Sequence, residues 1–292
     1  MRKRSFALFT FLMHLMSAGW LATYGQPITT KADDDKFGKL PPNQISTWEL
    51  SGVRTEIAIG HFVDPLVVRE KLPLGFRPQT VGEFAKNDPG IAKWLEDHPR
   101  YSGYLVATLL FTSLDLVVDG ANVSKRGPVR FADWWIWGTA AAPLDKVALG
   151  DVALQLASWL PDTGISRAKL AADPTISFGK VEVVNTKPGE WQVRLKIRRG
   201  EITGEVHEQG ERTEIKYPLP AYSTIFLAGS NPSRYAIFTY YGHHLRDVKA
   251  SWKFTGNHLL TRSLSDMKAI YPFRTVIQDG WRARAGLYKA ND

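Results

Sequence analysis

Residues 130–138, Arg-Phe-Ala-Asp-Trp-Trp-Ile-Trp-Gly, gather the groups of this chain best suited to chemistry. Strand alternation puts Phe131, Asp133, Trp135 and Trp137 on one side and Arg130, Ala132, Trp134 and Ile136 on the other. A carboxylate among aromatic rings is costly unless it is paired or used. Burial pushes a carboxyl's pKa up, toward the range where it can give or take a proton near neutrality. Asp133 is therefore the candidate catalytic group, and Phe131, Trp134, Trp135 and Trp137 are candidate walls of a ligand cavity. The plainer arrangement, Asp133 bonded to an arginine on a solvated rim, is also open to the sequence.

The other reactive side chains form no constellation by spacing. His243 and His244 are adjacent, so they point to opposite sides of a strand, and no His-x-His or His-Glu-x-x-His spacing occurs. Neither a metal site nor a cofactor is expected. His61 reads either as a group at a cavity mouth or as a satisfied core histidine. The chain has no cysteine, which removes disulfides, thiol nucleophiles and thiolate metal sites. It also lacks a Gly-x-Ser-x-Gly elbow and a glycine loop opening a helix, which disfavours hydrolase and nucleotide-binding chemistry.

The cationic run 194–200, Arg-Leu-Lys-Ile-Arg-Arg-Gly, suggests nucleic acid until it is folded into a hairpin. With Arg199-Gly200 as the turn, Arg198 faces Glu201, Lys196 faces Thr203 and Arg194 faces Glu205, while Val193, Leu195 and Ile197 fill the other face. That is a self-compensated, solvated sheet face, and no nucleic-acid partner is expected.

The elements that must position these groups are mostly strands. Residues 53–59 alternate, 103–118 form a long apolar run suited to a buried strand, and 129–137 form another. From 176 onward the chain reads as a meander, with strands at 181–184, 191–198, 201–207 and 212–217 and turns at 188–189, 199–200 and 209–210. Further strands fall near 222–227, 235–240, 248–254 and 281–288. Helices are few and short. Asp64 caps and Pro65 opens one over 65–72, which Pro73 stops. Asp88-Pro89 opens a second carrying Ile91, Trp94 and Leu95. A third is expected over 150–160, from Val152, Leu156 and Trp159 on one side. There is no internal repeat.

The chain divides into three parts on this reading. Residues 1–25 begin with Arg2, Lys3 and Arg4 and continue as an apolar run, the order of a secretory signal peptide. Residues 26–46 are polar, proline-containing and aperiodic, as in a tether. Residues 47–292 form a single β-rich domain. The net charge of +8 includes those three leader cations, leaving 8 − 3 = +5 beyond it, which is only mildly basic. A periplasmic or secreted location follows, with membrane contact only through the leader if it stays attached. An oligomer is compatible with the sequence.

One stretch carries a resemblance. A strand, then Val63-Asp64-Pro65 leading a short helix into Leu72-Pro73-x-Gly75-Phe76-x-Pro78, then a long apolar strand, resembles the acetoacetate decarboxylase-like superfamily. Phe131-Ala132-Asp133 stands where that family has an aromatic-x-Glu. The segment from Leu160 to Lys169 stands where the family carries its Schiff-base lysine, but Asp162 and Thr163 occupy the lysine positions, and Lys169 matches only the motif's last lysine. The resemblance spans about residues 53–170 and implies a mainly β (α+β) fold: a curved antiparallel sheet closing into a cone or barrel around a central cavity, with a few short helices. It implies an exported protein that binds or transforms a small, partly apolar carboxylate or ketone without a Schiff-base lysine, with Asp133 supplying acid–base capacity and the four aromatics, His61 and Lys169 near the ligand. The alternatives are a non-enzymatic carrier of a hydrophobic ligand in the envelope and a structural envelope protein whose tryptophans are core.

Overall fold

The computed structural model describes residues 44–125, 127–148, 150–161, 175–215, 221–229, 234–241, 243–268, 274–279 and 282–289. The segment expected to be a signal peptide, most of the expected tether and Lys169 lie outside them. Strand β1 runs over Gln44–Val63, so it begins three residues inside the expected tether. Two 3-10 turns follow, Pro65–Val67 and Arg69–Lys71, and then β2 at Phe76–Pro78. Asp64 caps as expected, its Oδ1 accepting the Leu66 N–H at 2.9 Å. The expected α-helix over 65–72 is instead these two tight turns. Bracketed by Asp64 and Pro73 and carrying Val67-Val68, the stretch is too short and too β-branched to nucleate an α-helix.

Helix α1 spans Val81–Ala85 and α2 Pro89–Asp97. Strands β3 (Leu105–Val118), β4 (Ala121–Asn122), β5 (Val129–Ala140) and β6 (Asp151–Leu160) come next. The third expected helix is thus strand β6. Then come β7 (Ile176–Phe178), β8 (Lys180–Lys187), β9 (Glu190–Ile197), β10 (Gly200–Ile215), β11 (Ala221–Leu227) and β12 (Arg234–Tyr241). The chain ends its described part with β13 (His243–Gly256), helix α3 (Leu259–Lys268), β14 (Arg274–Asp279) and β15 (Arg282–Lys289). No helix among the described residues is long and apolar enough to cross a membrane.

Strand β1 organises everything else. Along one edge it pairs with β3 over nearly its whole length, with a register shift between Ser51 and Thr55. Along the other edge its first half pairs with β15 and its second half with β14. Two arms therefore diverge from one strand. The first continues β15–β12–β11–β6–β5 and reaches β3 again; the second continues β14–β13–β10–β9–β8. The sheet is curved and mixed, because β6 pairs in parallel with both β7 and β11. That corrects the expected antiparallel sheet, and the divided edge of β1 makes it a branched structure instead of a plain barrel.

The two faces of β1, β3, β5 and β6 meet different partners. Ile57, Ile59, Leu109, Phe111, Trp134 and Leu154 are buried in the main core, together with Val193, Leu195, Ile202 and Trp252 of the second arm. On the opposite face, Leu114, Leu116, Ala153, Ile225 and Ala236 form a second cluster enclosed by the first arm, against which Phe131, Trp135 and Trp137 pack. Helices α1 and α2 close one end of that second face, where Val81, Phe84 and Ile91 meet Phe62 and Val106 with Trp137 alongside.

Close packing at the β2–β5 contact depends on glycine. A Cβ on Gly138 would sit 2.4 Å from the Arg77 carbonyl oxygen and 2.6 Å from the Phe76 ring. Gly138→Ala is expected to push β2 off β5 and lower stability by about 1–3 kcal/mol, the range for overpacking, as measured by urea denaturation.

Two features of the meander differ from expectation. The β9–β10 turn is Arg198-Arg199, with Ile197 opposite Gly200, Lys196 opposite Glu201 and Arg194 opposite Thr203. Arg199 takes the left-handed conformation itself, at φ 66°. Charge compensation survives the changed register, since Arg194 Nε donates to Glu201 Oε1 at 2.5 Å and lies 3.8 Å from Glu182. The expected turn at 209–210 is a bulge within one long strand, with Gly210 at φ 78° and a register shift between Gln209 and Thr213.

Candidate functional site

The alternation read from residues 130–138 holds in β5. Asp133, Phe131, Trp135 and Trp137 share the face enclosed by the first arm, and Trp134 points to the main core. Asp133 is buried, 7% exposed, opposite Leu110 of β3 and Ser158 of β6. The solvated-rim arrangement is thereby set aside.

A second carboxylate shares the face. Glu56 of β1 is buried and lies opposite Thr112, whose hydroxyl donates to Glu56 Oε2 at 3.2 Å. Glu56 and Asp133 thus flank β3 from either side, offset by two residues along it because Asp133 pairs with Leu110 and Glu56 with Thr112, ~12 Å apart at the backbone. Burial is the main force on Glu56; it raises the carboxyl from 4.5 to about 7, and the neighbouring Asp133 pushes in the same direction while the Thr112 hydrogen bond opposes them. Near neutral pH this acid stands between its two protonation states.

Around the acids the polar atoms of the aromatics are tied down. Trp135 Nε1 donates to Gln155 Oε1 at 3.3 Å, and Gln155 Nε2 donates to Thr175 Oγ1 at 2.5 Å. Trp137 Nε1 donates to Thr108 Oγ1 at 2.8 Å. The Trp135 and Trp137 rings meet edge to face, 6.1 Å between centroids. Fixed by these bonds, the indoles share the face that carries Asp133, so apolar and proton-carrying groups lie on one side of the sheet.

His61 and Trp134 are placed elsewhere. Trp134 belongs to the main core, on the far side of the sheet from Asp133, and His61 is buried against it. Trp134 Nε1 donates to His61 Nε2 at 3.1 Å, and His61 Nδ1 donates to the Ile59 carbonyl at 3.2 Å. Burial depresses the imidazole to about 4, against the Ile59 hydrogen bond, so the ring is neutral. The site brings together Asp133, Phe131, Trp135 and Trp137; it does not include His61 or Trp134. Among the described residues no group of three or more His, Cys, Asp or Glu side chains is placed to hold a metal ion.

Sequence reasoning missed Glu56. It alternates with Ile57 and Ile59, which placed it on the face expected to meet solvent. The available signal was the small residues that follow it on that face, Ala58 and Gly60, which leave room for a covering layer.

No family model matches the chain, and no curated protein sequence matches it significantly. Solved structures do. An acetoacetate decarboxylase from Legionella pneumophila superposes with a TM-score of 0.52 at 10% identity, covering 84% of this chain and 87% of that one. An acetoacetate decarboxylase-like enzyme from Sphingomonas wittichii RW1 superposes with a TM-score of 0.52 at 8% identity, covering 87% of this chain and 98% of its own. The chain has the acetoacetate decarboxylase-like fold, carried by a strongly diverged sequence.

Proposed function

We propose that this protein binds a small, partly apolar ketone or carboxylic acid at the Glu56–Asp133 face and transforms it by acid–base chemistry. The observation that carries this reading is a buried glutamic acid raised to about 7 beside a second buried carboxyl. Protonated Glu56 can donate to a carbonyl or carboxylate oxygen, and Asp133 can accept a proton on the other side of β3. Phe131, Trp135 and Trp137 would cover the apolar part of the ligand. The acetoacetate decarboxylase-like fold supports a small-molecule role of this kind. The cationic, apolar start of the chain supports export, to the periplasm or beyond.

Two experiments test the reading. Asp133→Asn is expected to lower turnover of small ketones or oxo acids by about 100-fold or more, the scale of a lost general acid or base, while calorimetry shows ligand still bound. Unchanged turnover would make the face a carrier site without acid chemistry. Borohydride reduction with acetoacetate is expected to leave every lysine unlabelled, since Asp162 and Thr163 stand at the nucleophile positions; a trapped lysine would overturn the amine-free mechanism.

A further inference from the structure

A cavity of about 330 Å³ opens on the other side of the sheet from Asp133. That size falls at the lower end of the ~300–1,000 Å³ usual for small-molecule sites. Leu156 and Trp159 of β6, with Leu259, form its apolar surface, backed by the almost fully buried Trp134 of β5, with Thr175 just before β7 and Ser177 within it. Lys71, from the second 3-10 turn, and His258, which precedes α3, complete it from segments far apart in the sequence. Consecutive residues of a strand face opposite ways, so Trp134 here and Asp133 behind it belong to separate sites.

The lining has a definite chemical polarity. The Leu260 N–H donates to His258 Nδ1 at 3.2 Å, so the ring proton sits on Nε2 and is the imidazole's donor. Burial, and then the positive charge of Lys71, hold the His258 pKa down. The Trp159 ring meets His258 edge-on at 6.0 Å. Trp134 spends its N–H on His61 and, almost fully buried, only backs the cavity wall. No described residue lining the cavity carries a carboxylate. An ammonium, an imidazole donor and two hydroxyls line it beside Trp159 and two leucines, with no counter-charge among the described lining residues.

We infer that this cavity binds a small amphipathic anion, an aryl-alkyl carboxylate, with its carboxylate between Lys71 and His258 and its ring against Leu156, Trp159 and Leu259. The anion-binding groups, Lys71 and His258, lie apart from the Glu56–Asp133 face; Thr175 alone is shared, through its bond to Gln155, and the inference does not need that face to be catalytic.

The test uses the full chain, 4-phenylbutyrate and its neutral counterpart 4-phenylbutanol, with affinities read by calorimetry and the site read by photo-crosslinking with a diazirine analogue of the acid. Saturable binding of the acid is expected, at least tenfold tighter than the alcohol, with crosslinks in segments 69–73, 175–178 and 256–260. Lys71→Gln should weaken the acid at least tenfold and Lys71→Glu further still. Lys71 lies on the surface, so both variants keep the fold, which circular dichroism verifies. Asp133→Asn should leave this affinity unchanged. Equal affinity for acid and alcohol, indifference to both Lys71 variants, or no saturable binding would each overturn the inference. Crosslinks confined to Phe131, Trp135, Trp137 and β3 would overturn it too, while leaving the acid-face reading intact.

Discussion

Replacing Trp134 by alanine is expected to lower folding stability by about 3–5 kcal/mol, the cost of deleting a large aromatic from a packed core. Its side chain is 1% exposed, between the β1–β3–β5–β6 face and the second arm. The indole also supplies the donor for His61 Nε2, and a buried acceptor that loses its donor adds to the loss. Trp134→Phe separates the two contributions. It keeps most of the volume and removes the hydrogen bond, so its loss should be nearer 1 kcal/mol. Urea unfolding at an unchanged m-value is the measurement. A loss below 1 kcal/mol for Trp134→Ala would show that the two arms do not pack through this ring.

The second large effect is a dependence of stability on pH that runs against the ordinary carboxylate pattern. A carboxyl held at about 7 in the fold and 4.5 when exposed binds its proton more tightly in the native state. Stability from this group is fully present below pH 4.5 and is lost as pH rises toward 7, after which the penalty is constant. At 1.36 kcal/mol per pKa unit the difference between pH 4.5 and pH 8 is about 3 kcal/mol. Asp151, raised by burial to about 6, acts with the same sign. The informative quantity is therefore the difference between the wild-type protein and Glu56→Gln. The variant should be the more stable of the two at pH 8 and should flatten most of the slope between pH 5 and 7. An unchanged slope would place Glu56 in contact with water.

What could be read from the sequence divides along physical lines. The alternation of 130–138 survives because β5 is covered on both faces by different layers, so each residue's side is fixed by a periodicity of two. Asp133 was identified by the same logic. Strand β6 was not, because the pairing with β5 shifts register between Trp134 and Trp135, so that Ala157 and Gln155 are paired and Leu156 is extra. That bulge breaks the alternation and leaves Val152, Leu156 and Trp159 at a helix-like spacing. Helix α1 was within reach, since Thr80 and Glu83 form a capping box with hydrogen bonds in both directions. Glu56 could not be assigned from local pattern at all. Its burial comes from β3 and the first arm folding over it, a contact whose partners lie more than fifty residues away.

The divided edge of β1 also bears on how the molecule is made. Along the edge away from β3, its first half pairs with residues 283–288, near the far end of the described chain, and its second half with 274–278. During synthesis both stretches must wait, unsatisfied along that edge, until residues 274–288, more than two hundred positions later, have emerged. Assembly is therefore deferred to the last strands, and a chain cut short before them would present β1 as an open template for aggregation.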